Sequence, residues 1–402
     1  MKPAVTSVTR SGPARPLSVV IGAGGTGGHI YPGLALADAL RRAVPGAVVS
    51  FVGTERGLET RLVPDAGYRL HTVDMIPFDP ALGARRFLLP ADLLRSAAQA
   101  RAVLRERGAH VAVGMGGYPS APVVLGARTA GLPSLIHESN AVPGRANRFA
   151  ARLTPHIAVA FDRSRDHLPG GHRAHVTGMP IAAALARHAE TALPAGALRA
   201  LGVPEGARLL LVNGGSLGAA RLTEAALGLA ERWRWRGDVH LLIKTGPAAL
   251  DEARDRLART GADAVARAVP YLDRMDLAYA AADLVVCRAG SATVAELAST
   301  GVPAVLVPYP HAPGDHQTHN ARVLSDAGAG LLLPDAEATA DRLAALAGPL
   351  LDDPARLAAM SGAAARGPHA RAADLLAARV IDLARAAGHG PHPAHDPLEN
   401  AA

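Results

Sequence analysis

Short apolar runs alternate along the chain with longer segments in which apolar residues recur at helical spacing. The runs at 17–21 and 208–212 are almost entirely apolar, which is typical of strands buried on both faces of a sheet. Each opens a series of further strand predictions, at 48–52, 70–74, 111–115, 134–137 and 157–161, and at 240–244, 283–287 and 304–307. Alternation of strands and helices predicts parallel sheets joined by right-handed crossovers. The expected fold is α/β, with two doubly wound, Rossmann-like domains separated by a cleft.

The two series divide the chain into two predicted domains, over 16–180 and 181–367, joined by a linker near 178–193. A final helix at about 368–387 has an apolar stripe through Leu376 and Val380, and we expect it to pack back onto the first domain. Residues 1–15 and 388–402 are predicted to be flexible tails. Ligands of such sheets bind beyond the carboxyl ends of the strands, so the cleft is the expected active site.

Composition excludes several classes of protein. Apolar residues make up 49% of the chain and charged residues 19%, which excludes a wholly disordered protein. The single cysteine, Cys287, excludes an intrachain disulfide and a multi-cysteine metal site. We expect no transmembrane helix and no signal peptide, because the apolar runs are too short for either. A reducing cytoplasm agrees with both observations.

The chain is basic, and its basic residues are almost all arginines. Subtracting 35 acidic from 42 basic residues gives a net charge of +7, and Lys2 and Lys244 are the only lysines. The excess of arginine reflects either a compositional bias or a surface for anionic lipid, phosphate or nucleic acid. The scarcity of lysine argues against Schiff-base chemistry.

A glycine-rich loop follows the first predicted strand. Gly22, Gly24 and Gly27 match the spacing of the dinucleotide fingerprint, and without side chains their N–H groups could approach a phosphate at a helix N-terminus. A nicotinamide site also requires an acidic residue at the end of the second strand, but Glu55 comes later than expected. A dehydrogenase is therefore not favoured, and a tight turn without a ligand stays an alternative.

His29 directly follows this loop, at the expected start of a helix. A neutral imidazole there could accept a proton from an alcohol. The positive end of the helix dipole would lower its pKa and keep it neutral at physiological pH. The alternative is a histidine with a packing role.

Two further polar loops follow strands of the first domain. Residues 114–122 form a second glycine-rich turn, which should lie beside the first because both end parallel strands of one sheet. Two phosphate-binding turns in one domain indicate a diphosphate ligand. Residues 137–144 begin with His-Glu-Ser-Asn, and polar side chains at the end of a strand are well placed for a ligand. A plain turn and a solvated loop are the alternatives.

The second domain repeats this arrangement. Residues 213–218 resemble another phosphate-binding turn that contains Ser216, and residues 315–320 add polar groups at the same edge. In the segment 288–296, Thr293 and Glu296 lie three residues apart and so share one helix face. A pyrophosphate and ribose hydroxyls would suit them, but Thr-x-x-Glu is also a capping box. Phosphate-type loops on both sides of one cleft favour transfer between two phosphorylated ligands.

Residues 80–107 combine basic and apolar character. Arg85 and Arg86 precede Phe87, and the following helix interleaves arginines with a stripe that includes Leu93 and Leu94. Such a segment could dock on an anionic membrane surface, or it could be an ordinary amphipathic core helix.

These motifs occur in an order that resembles one family. The set consists of Gly24-Gly-Thr-Gly-Gly-His29, Gly116-Gly-Tyr118, His137-Glu-x-Asn140, Gly214-Gly-Ser216, Arg288-x-Gly-x-x-Thr-x-x-Glu296 and His316-Gln317. Over residues 17–385 the chain closely resembles the glycosyltransferases of family 28 with the GT-B fold, which make lipid II for peptidoglycan. The resemblance implies an inverting transfer of N-acetylglucosamine from UDP-GlcNAc to the muramyl 4-hydroxyl of undecaprenyl-linked lipid I.

The resemblance also implies a role for each site residue. His29 and Glu296 would be catalytic, with His29 as the base and Glu296 on the ribose, and the backbone near Leu272 would read uracil. The implied donor-binding residues are Thr26, Gly27, Gly28, Asn140, Ser216, Leu272, Arg288, Ser291, Ala292, Thr293, Val294, Ala295, Glu296 and Gln317. The implied acceptor-binding residues are Gly25, Gly116, Gly117, Tyr118, His137 and Glu138. No metal and no cofactor are expected, because helix N-termini stabilise the UDP leaving group.

We expect a peripheral protein at the cytoplasmic face of the plasma membrane, with UDP-GlcNAc, lipid I and anionic lipid as partners and no nucleic acid. Four positions depart from the family pattern, which usually has Asn at Met179, Arg at Ala182, Gln at Leu217 and Gln at Ser139. A missing arginine near a diphosphate would cost roughly 1.5–3 kcal/mol. The alternatives are therefore a divergent GT-B enzyme with another lipid or natural-product acceptor, and a catalytically inactive scaffold of the wall-synthesis machinery.

Overall fold

The computed structural model describes residues 16–76, 89–186, 196–214, 219–364 and 368–388. The first of its two sheets has seven parallel strands in the order β3-β2-β1-β4-β5-β6-β7. These strands are β1 (Ser18–Gly22), β2 (Val48–Gly53), β3 (Arg69–Thr72), β4 (Val111–Gly114), β5 (Ser134–Glu138), β6 (His156–Val159) and β7 (His175–Val176).

The second sheet has six parallel strands in the order β10-β9-β8-β11-β12-β13. They are β8 (Arg208–Asn213), β9 (Val239–Lys244), β10 (Ala266–Val269), β11 (Ala282–Cys287), β12 (Ala304–Leu306) and β13 (Gly330–Leu332). Two doubly wound parallel sheets confirm the predicted α/β fold class.

The described α-helices connect these strands and cover the two faces of each sheet. They are α1 (Gly27–Ala43), α2 (Glu59–Asp65), α3 (Leu89–Glu106), α4 (Ser120–Thr129), α5 (Arg145–Ala150), α6 (Ala183–Ala186), α7 (Ala197–Leu201), α8 (Ala220–Arg232), α9 (Leu250–Thr260), α10 (Met275–Ala281), α11 (Ser291–Thr300), α12 (His316–Ser325), α13 (Ala340–Leu351), α14 (Pro354–Ala364) and α15 (Ala372–Ala386). None of them is long and apolar enough to cross a membrane.

In each sheet the strand order reverses beside the first strand. β1 pairs with β2 on one side and β4 on the other, and β8 likewise lies between β9 and β11. The loops that leave β1 and β4 diverge to opposite faces and open a crevice, and the same holds for β8 and β11. The glycine-rich turns after β1 and β4 are therefore neighbours, as the sequence predicted.

The last helix packs onto the first sheet's side of the molecule. Leu376 and Val380 of α15 are fully buried, in one cluster with Leu36 and Leu40 of α1. Their helical spacing is the apolar stripe that the sequence showed. The predicted domain limits, 16–180 and 181–367, stay predictions. Residues 187–193 of the predicted linker, and residues 1–15 and 389–402 of the predicted tails, lie outside the described residues.

Strand prediction failed at the sheet edges. β7, β10 and β13 were not predicted, and β7 has only two residues. Such short edge strands carry little hydrophobic pattern, because only their neighbours in the sheet identify them. Elsewhere the predicted and observed strand limits differ by one or two residues, as at β3 and β6.

Candidate active site

His29 lies between the two glycine-rich turns of the first domain. Its ring packs against Gly116, where an added Cβ would come within 2.7 Å of the imidazole, and against Gly117. Both glycines have positive φ angles, 95° and 74°, which disfavour any other residue. The Nδ1 atom of His29 is 3.2 Å from Thr26 Oγ1. The turns after β1 and β4 thus form one unit around the predicted base.

The electrostatics of His29 favour the neutral imidazole. Burial lowers its pKa from 6.5 to about 4, opposed by a hydrogen bond with the Gly24 backbone and further lowered by His316. The predicted direction of the shift is found, but burial, not the helix dipole, is its main cause. His316 belongs to α12 of the second domain, so His29 lies within electrostatic reach of the opposite side of the cleft.

A buried carboxylate that sequence reasoning missed supports the first turn. Glu59 is fully buried and accepts hydrogen bonds from the N–H of Gly25 and the N–H of Thr54, both at 3.0 Å. The Thr54 hydroxyl lies 3.0 Å from the Tyr118 hydroxyl. The sequence singled out Glu55 in this segment, because only the fold brings Glu59 under the loop. The Gly25 N–H is already paired with Glu59 in this conformation, and its implied contact with the acceptor stays a prediction.

His137 and Glu138, at the end of β5, are both held within the first domain. Both are buried, at 0% and 2% exposure. Glu138 accepts hydrogen bonds from Asn140 N, Gly144 N and Asn147 Nδ2, and His137 Nε2 bonds the Gly178 carbonyl. In this conformation the Glu138 carboxylate and His137 Nε2 are paired within the fold, whereas the buried His137 Nδ1 has no partner among the described residues. The implied role of both residues in binding the acceptor stays a prediction. They shape the loop that carries Asn140.

Asn140 meets the second domain through Asn320. The Asn320 side chain is fully buried, donates from Nδ2 to Asn140 Oδ1 at 3.2 Å and accepts from Ala141 N at 2.8 Å. Asn320 Nδ2 also lies 3.3 Å from the Ala289 carbonyl. One side chain thereby connects the predicted donor-sugar loop of the first domain with the turn before α11.

The start of α11 decides between the two interpretations of Thr-x-x-Glu. The N-cap is Gly290, so Thr293 lies inside the helix and the capping-box interpretation is wrong. The first-turn N–H groups at Ser291, Ala292 and Thr293 have no intrahelical acceptor and form an anion-binding end. Val294 N donates to Gly290 O at 2.9 Å, and both Val294 and Ala295 are fully buried. Their side chains therefore belong to the core, and the implied role of these residues in donor binding stays a prediction.

Glu296 is half-buried one turn beyond these amides. Burial raises its pKa to about 7, while a hydrogen bond from the Tyr279 hydroxyl at 3.1 Å and the charge of Lys244 lower it. A carboxylate with a single protein donor has lone pairs left for two further donors. This arrangement suits the vicinal hydroxyls of a ribose.

Gln317 and Arg288 lie at the same edge of the second sheet, but they differ in how many of their polar groups are already paired. Gln317 Oε1 accepts from Ala289 N at 3.2 Å and Tyr309 N at 2.9 Å, which leaves its amide N–H groups for a ligand. Arg288 pairs with Asp335 Oδ1 at 2.6 Å and donates to two backbone carbonyls. The guanidinium braces the loop after β12, and its implied contact with the donor stays a prediction.

Two tyrosines join the domains at the mouth of the cleft. Tyr31 of α1 and Tyr271 of the loop after β10 are about half exposed, at 49% and 54%. Burial raises the pKa of Tyr31, and a hydrogen bond with Tyr271 raises it further. Leu272, which follows Tyr271, is buried, whereas Ser216 lies outside the described residues.

The predicted membrane patch is only partly described. Residues 77–88, with Arg85, Arg86 and Phe87, lie outside the described residues. On α3, Leu94 is 65% exposed instead of contributing to the buried stripe, which consists of Ser96, Ala97, Ala100 and Leu104. Arg95 and Arg105 are exposed, whereas Arg101 and Arg107 are half-buried.

Family comparisons agree with this geometry. The profile of the glycosyltransferase family 28 N-terminal domain matches residues 19–159, and that of the family 28 C-terminal domain matches residues 209–376. The chain belongs to glycosyltransferase family 28. Membership in this family overturns the dehydrogenase alternative and makes the GT-B description of the two sheets appropriate.

Similar proteins of known name cover nearly the whole chain. A relative from Desulforudis audaxviator is 39% identical over 378 residues, which is 92% of this chain and 99% of the relative. One from Mycolicibacterium paratuberculosis is 42% identical over 390 residues, or 96% and 93% of the two chains. Both are named UDP-N-acetylglucosamine–N-acetylmuramyl-(pentapeptide) pyrophosphoryl-undecaprenol N-acetylglucosamine transferase.

Solved structures give the same result. MurG of Acinetobacter baumannii is 27% identical, with a TM-score of 0.70, over 91% of this chain and 100% of that one. A kitacinnamycin glycosyltransferase is 20% identical, with a TM-score of 0.65, over 92% and 99%, which supports the fold alone.

Proposed function

We propose that the chain transfers N-acetylglucosamine from UDP-GlcNAc to the muramyl 4-hydroxyl of undecaprenyl-diphospho-muramoyl-pentapeptide, lipid I. The product is lipid II, the precursor of peptidoglycan. This is the activity in the printed names of relatives that match over 90% of the chain. The reaction forms one glycosidic bond and breaks one, and UDP leaves with the electron pair of the C1–oxygen bond.

A single relationship supports this proposal most strongly. The amide-rich start of α11 and the Glu296 carboxylate lie in one domain, and a neutral His29 in a double-glycine cradle lies in the other. The coupling of His29 to His316 and the contact of Tyr31 with Tyr271 indicate that the two sites share one cleft. That arrangement suits a direct displacement between two bound substrates.

The residues divide into three tasks. His29 takes the proton from the acceptor hydroxyl as its oxygen attacks C1 of the sugar, and the configuration at C1 inverts. The N–H groups of Ser291, Ala292 and Thr293 stabilise the charge that develops on the diphosphate. Glu296 binds the ribose, and Gln317 and Asn140 contact the sugar.

The acceptor occupies the first domain. The start of α1, where the N–H groups of Gly27 and Gly28 have no intrahelical acceptor, can bind an anion, and Thr26, Gly27 and Gly28 reach from there toward the donor sugar. Gly116, Gly117 and Tyr118 form the neighbouring wall. The lipid tail would reach the membrane beside α3, where Leu94, Arg95 and Arg105 are exposed and suit the cytoplasmic face of an anionic bilayer.

The test is a product assay with radiolabelled UDP-GlcNAc and a lipid I analogue. We expect labelled lipid II from the wild type, and losses of at least about a hundredfold in kcat from His29→Ala. Absence of lipid II, with turnover of another lipid or natural-product acceptor, would instead support the divergent enzyme that Met179, Ala182 and Leu217 suggest. Unchanged cellular function of the inactive variant would support a scaffold.

A further inference from the structure

Lys244 is an unusual residue in this chain. It is one of two lysines among 42 basic residues, and it is the last residue of β9, paired in register with Asn213 of β8. It is only 8% exposed. A lysine at the carboxyl end of a central strand lies at the edge of the sheet where ligands of this fold bind.

The ammonium group of Lys244 has no hydrogen-bond acceptor among the described residues. Its Nζ lies 5.0 Å from the ring centroid of Tyr271, and its charge interacts with Glu296. Burial lowers its pKa. Its Nζ is not among the fully enclosed unpaired atoms of the described residues, so the ammonium is open to a ligand that offers an acceptor.

Arg288 shows how the same domain treats another buried cation. Its guanidinium, 13% exposed, has three protein acceptors: Asp335 Oδ1, the Val307 carbonyl and the Pro308 carbonyl. The contrast suggests that the acceptor for Lys244 comes from a ligand. The surrounding groups indicate which part of that ligand it is.

Resting on the proposed function, we propose that Lys244 is a donor-specificity residue that hydrogen-bonds an oxygen of the uridine nucleoside. The anion-binding start of α11 marks the diphosphate, and Glu296, one turn further, marks the ribose. The Tyr271 ring lies 5.0 Å from the Lys244 ammonium. Tyr271 precedes Leu272, whose backbone is expected to bind the uracil base. Lys244 therefore lies on the nucleoside side of the site, next to both groups. A lysine suits this place because its ammonium is a compact donor that can follow an oxygen in several directions.

Lys244 has a second effect through Glu296. The groups that act on the pKa of Glu296 are the Tyr279 hydroxyl, which hydrogen-bonds the carboxylate, and Lys244, which is the cation of the two. Glu296 in turn raises the pKa values of Cys287 and Tyr31. The charge of Lys244 lowers the pKa of Glu296. Removing Lys244 raises that pKa further, so the carboxylate form that binds ribose is lost at a higher pH.

The test compares nucleotide binding by calorimetry in the full chain with Lys244→Met, Lys244→Gln and, as a matched control, Arg254→Met on the exposed surface of α9. We expect Lys244→Met to weaken the binding of UMP and of UDP by the same factor, roughly tenfold to a hundredfold, and Lys244→Gln to have an intermediate effect. KM for UDP-GlcNAc should rise by this factor with little change in kcat. The pH below which UDP affinity falls should move upward.

The outcomes separate this proposal from the function on which it rests. Failure of the wild type to bind UMP or UDP would overturn the proposed function itself. Wild-type binding with an unchanged Lys244→Met variant would overturn only the role of Lys244. A loss confined to UDP would also overturn it, since that places the ammonium on the diphosphate. Thermal unfolding serves to check that each variant is folded. We expect them to be, because removing a charge that has no protein partner does not destabilise the fold.

Discussion

Glu59 Oε2 accepts a hydrogen bond from Gly25 N at 3.0 Å, so a carboxylate from the start of α2 sets the conformation of the loop after β1. Through Thr54 the same carboxylate reaches Tyr118 on the neighbouring turn. A buried group beneath the loop therefore sets the geometry of the turn that is predicted to bind the acceptor.

Glu59→Gln is expected to damage this control, because an amide cannot accept from both Gly25 and Thr54 N–H groups. An unpaired buried N–H should lower the free energy of unfolding by about 1–3 kcal/mol. KM for the lipid acceptor should rise, whereas KM for UDP-GlcNAc should not. Glu55→Gln, on the exposed part of the same loop, is the control. Equal changes in both KM values would contradict this role.

Asn320 is expected to fix the position of the two domains relative to each other at the cleft. Asn320→Ala removes contacts to Asn140, Ala141 and Ala289 and should lower kcat/KM at least tenfold, because misplacing a substrate by about 1 Å can cost a hundredfold. The control is Arg163→Ala, which breaks the exposed interdomain pair with Asp326 and should cost no more than about 1 kcal/mol. Similar kinetics for the two variants would show that Asn320 does not fix this position.

His29 should have little influence on the pH dependence of the reaction near neutrality. Burial lowers its pKa to about 4, so the imidazole is already neutral at pH 6 and above. Lowering the pH through that value should abolish activity as the base becomes protonated. Glu296, with its pKa raised to about 7, should dominate between pH 6 and 8, and donor affinity should increase as the carboxylate ionises. A pH profile of kcat/KM for UDP-GlcNAc, with Glu296→Gln for comparison, measures both effects.

We expect acid to lower the stability of the protein at the segment that joins the two domains. His137 bonds the Gly178 carbonyl, and His369 Nδ1 accepts from Met179 N at 3.0 Å, while burial lowers both pKa values from 6.5 to about 4. Between pH 4 and pH 6.5 the unfolded chain binds more protons than the folded protein does. The contribution of each histidine to the free energy of unfolding is therefore complete above about pH 6.5 and is lost as the pH falls toward 4, by up to about 3 kcal/mol. Urea unfolding at several pH values measures this slope.

His369→Gln should reduce the acid slope, because an amide oxygen can accept from Met179 N without titrating. A variant with the same slope as the wild type would show that His369 is not the group responsible. Arg385→Gln, on the exposed face of α15, is a suitable control for changes in net charge.

Much of the fold could be predicted because its signals are local. Near-continuous apolar runs such as 17–21 and 283–287 specify buried strands, and a helical stripe through Leu376 and Val380 specified α15. Glycines followed by His29 marked a strand-to-helix turn. Edge strands such as β7 could not be predicted, because two residues carry no period.

The sequence by itself determined two parallel-sheet domains, the loops that end their central strands and the residue types that face the cleft, since these depend on hydrophobic period and on chain neighbours. Only the tertiary structure decided which polar groups are already paired. Arg288 receives an acceptor from Asp335, 47 residues away along the chain, whereas Glu138 is paired within its own loop, with Asn140, Gly144 and Asn147. Conversely, folding leaves Lys244 buried without an acceptor among the described residues, and places Glu59 beneath Gly25. Hydrogen-bond satisfaction depends on contacts between segments far apart in sequence, which no local pattern records.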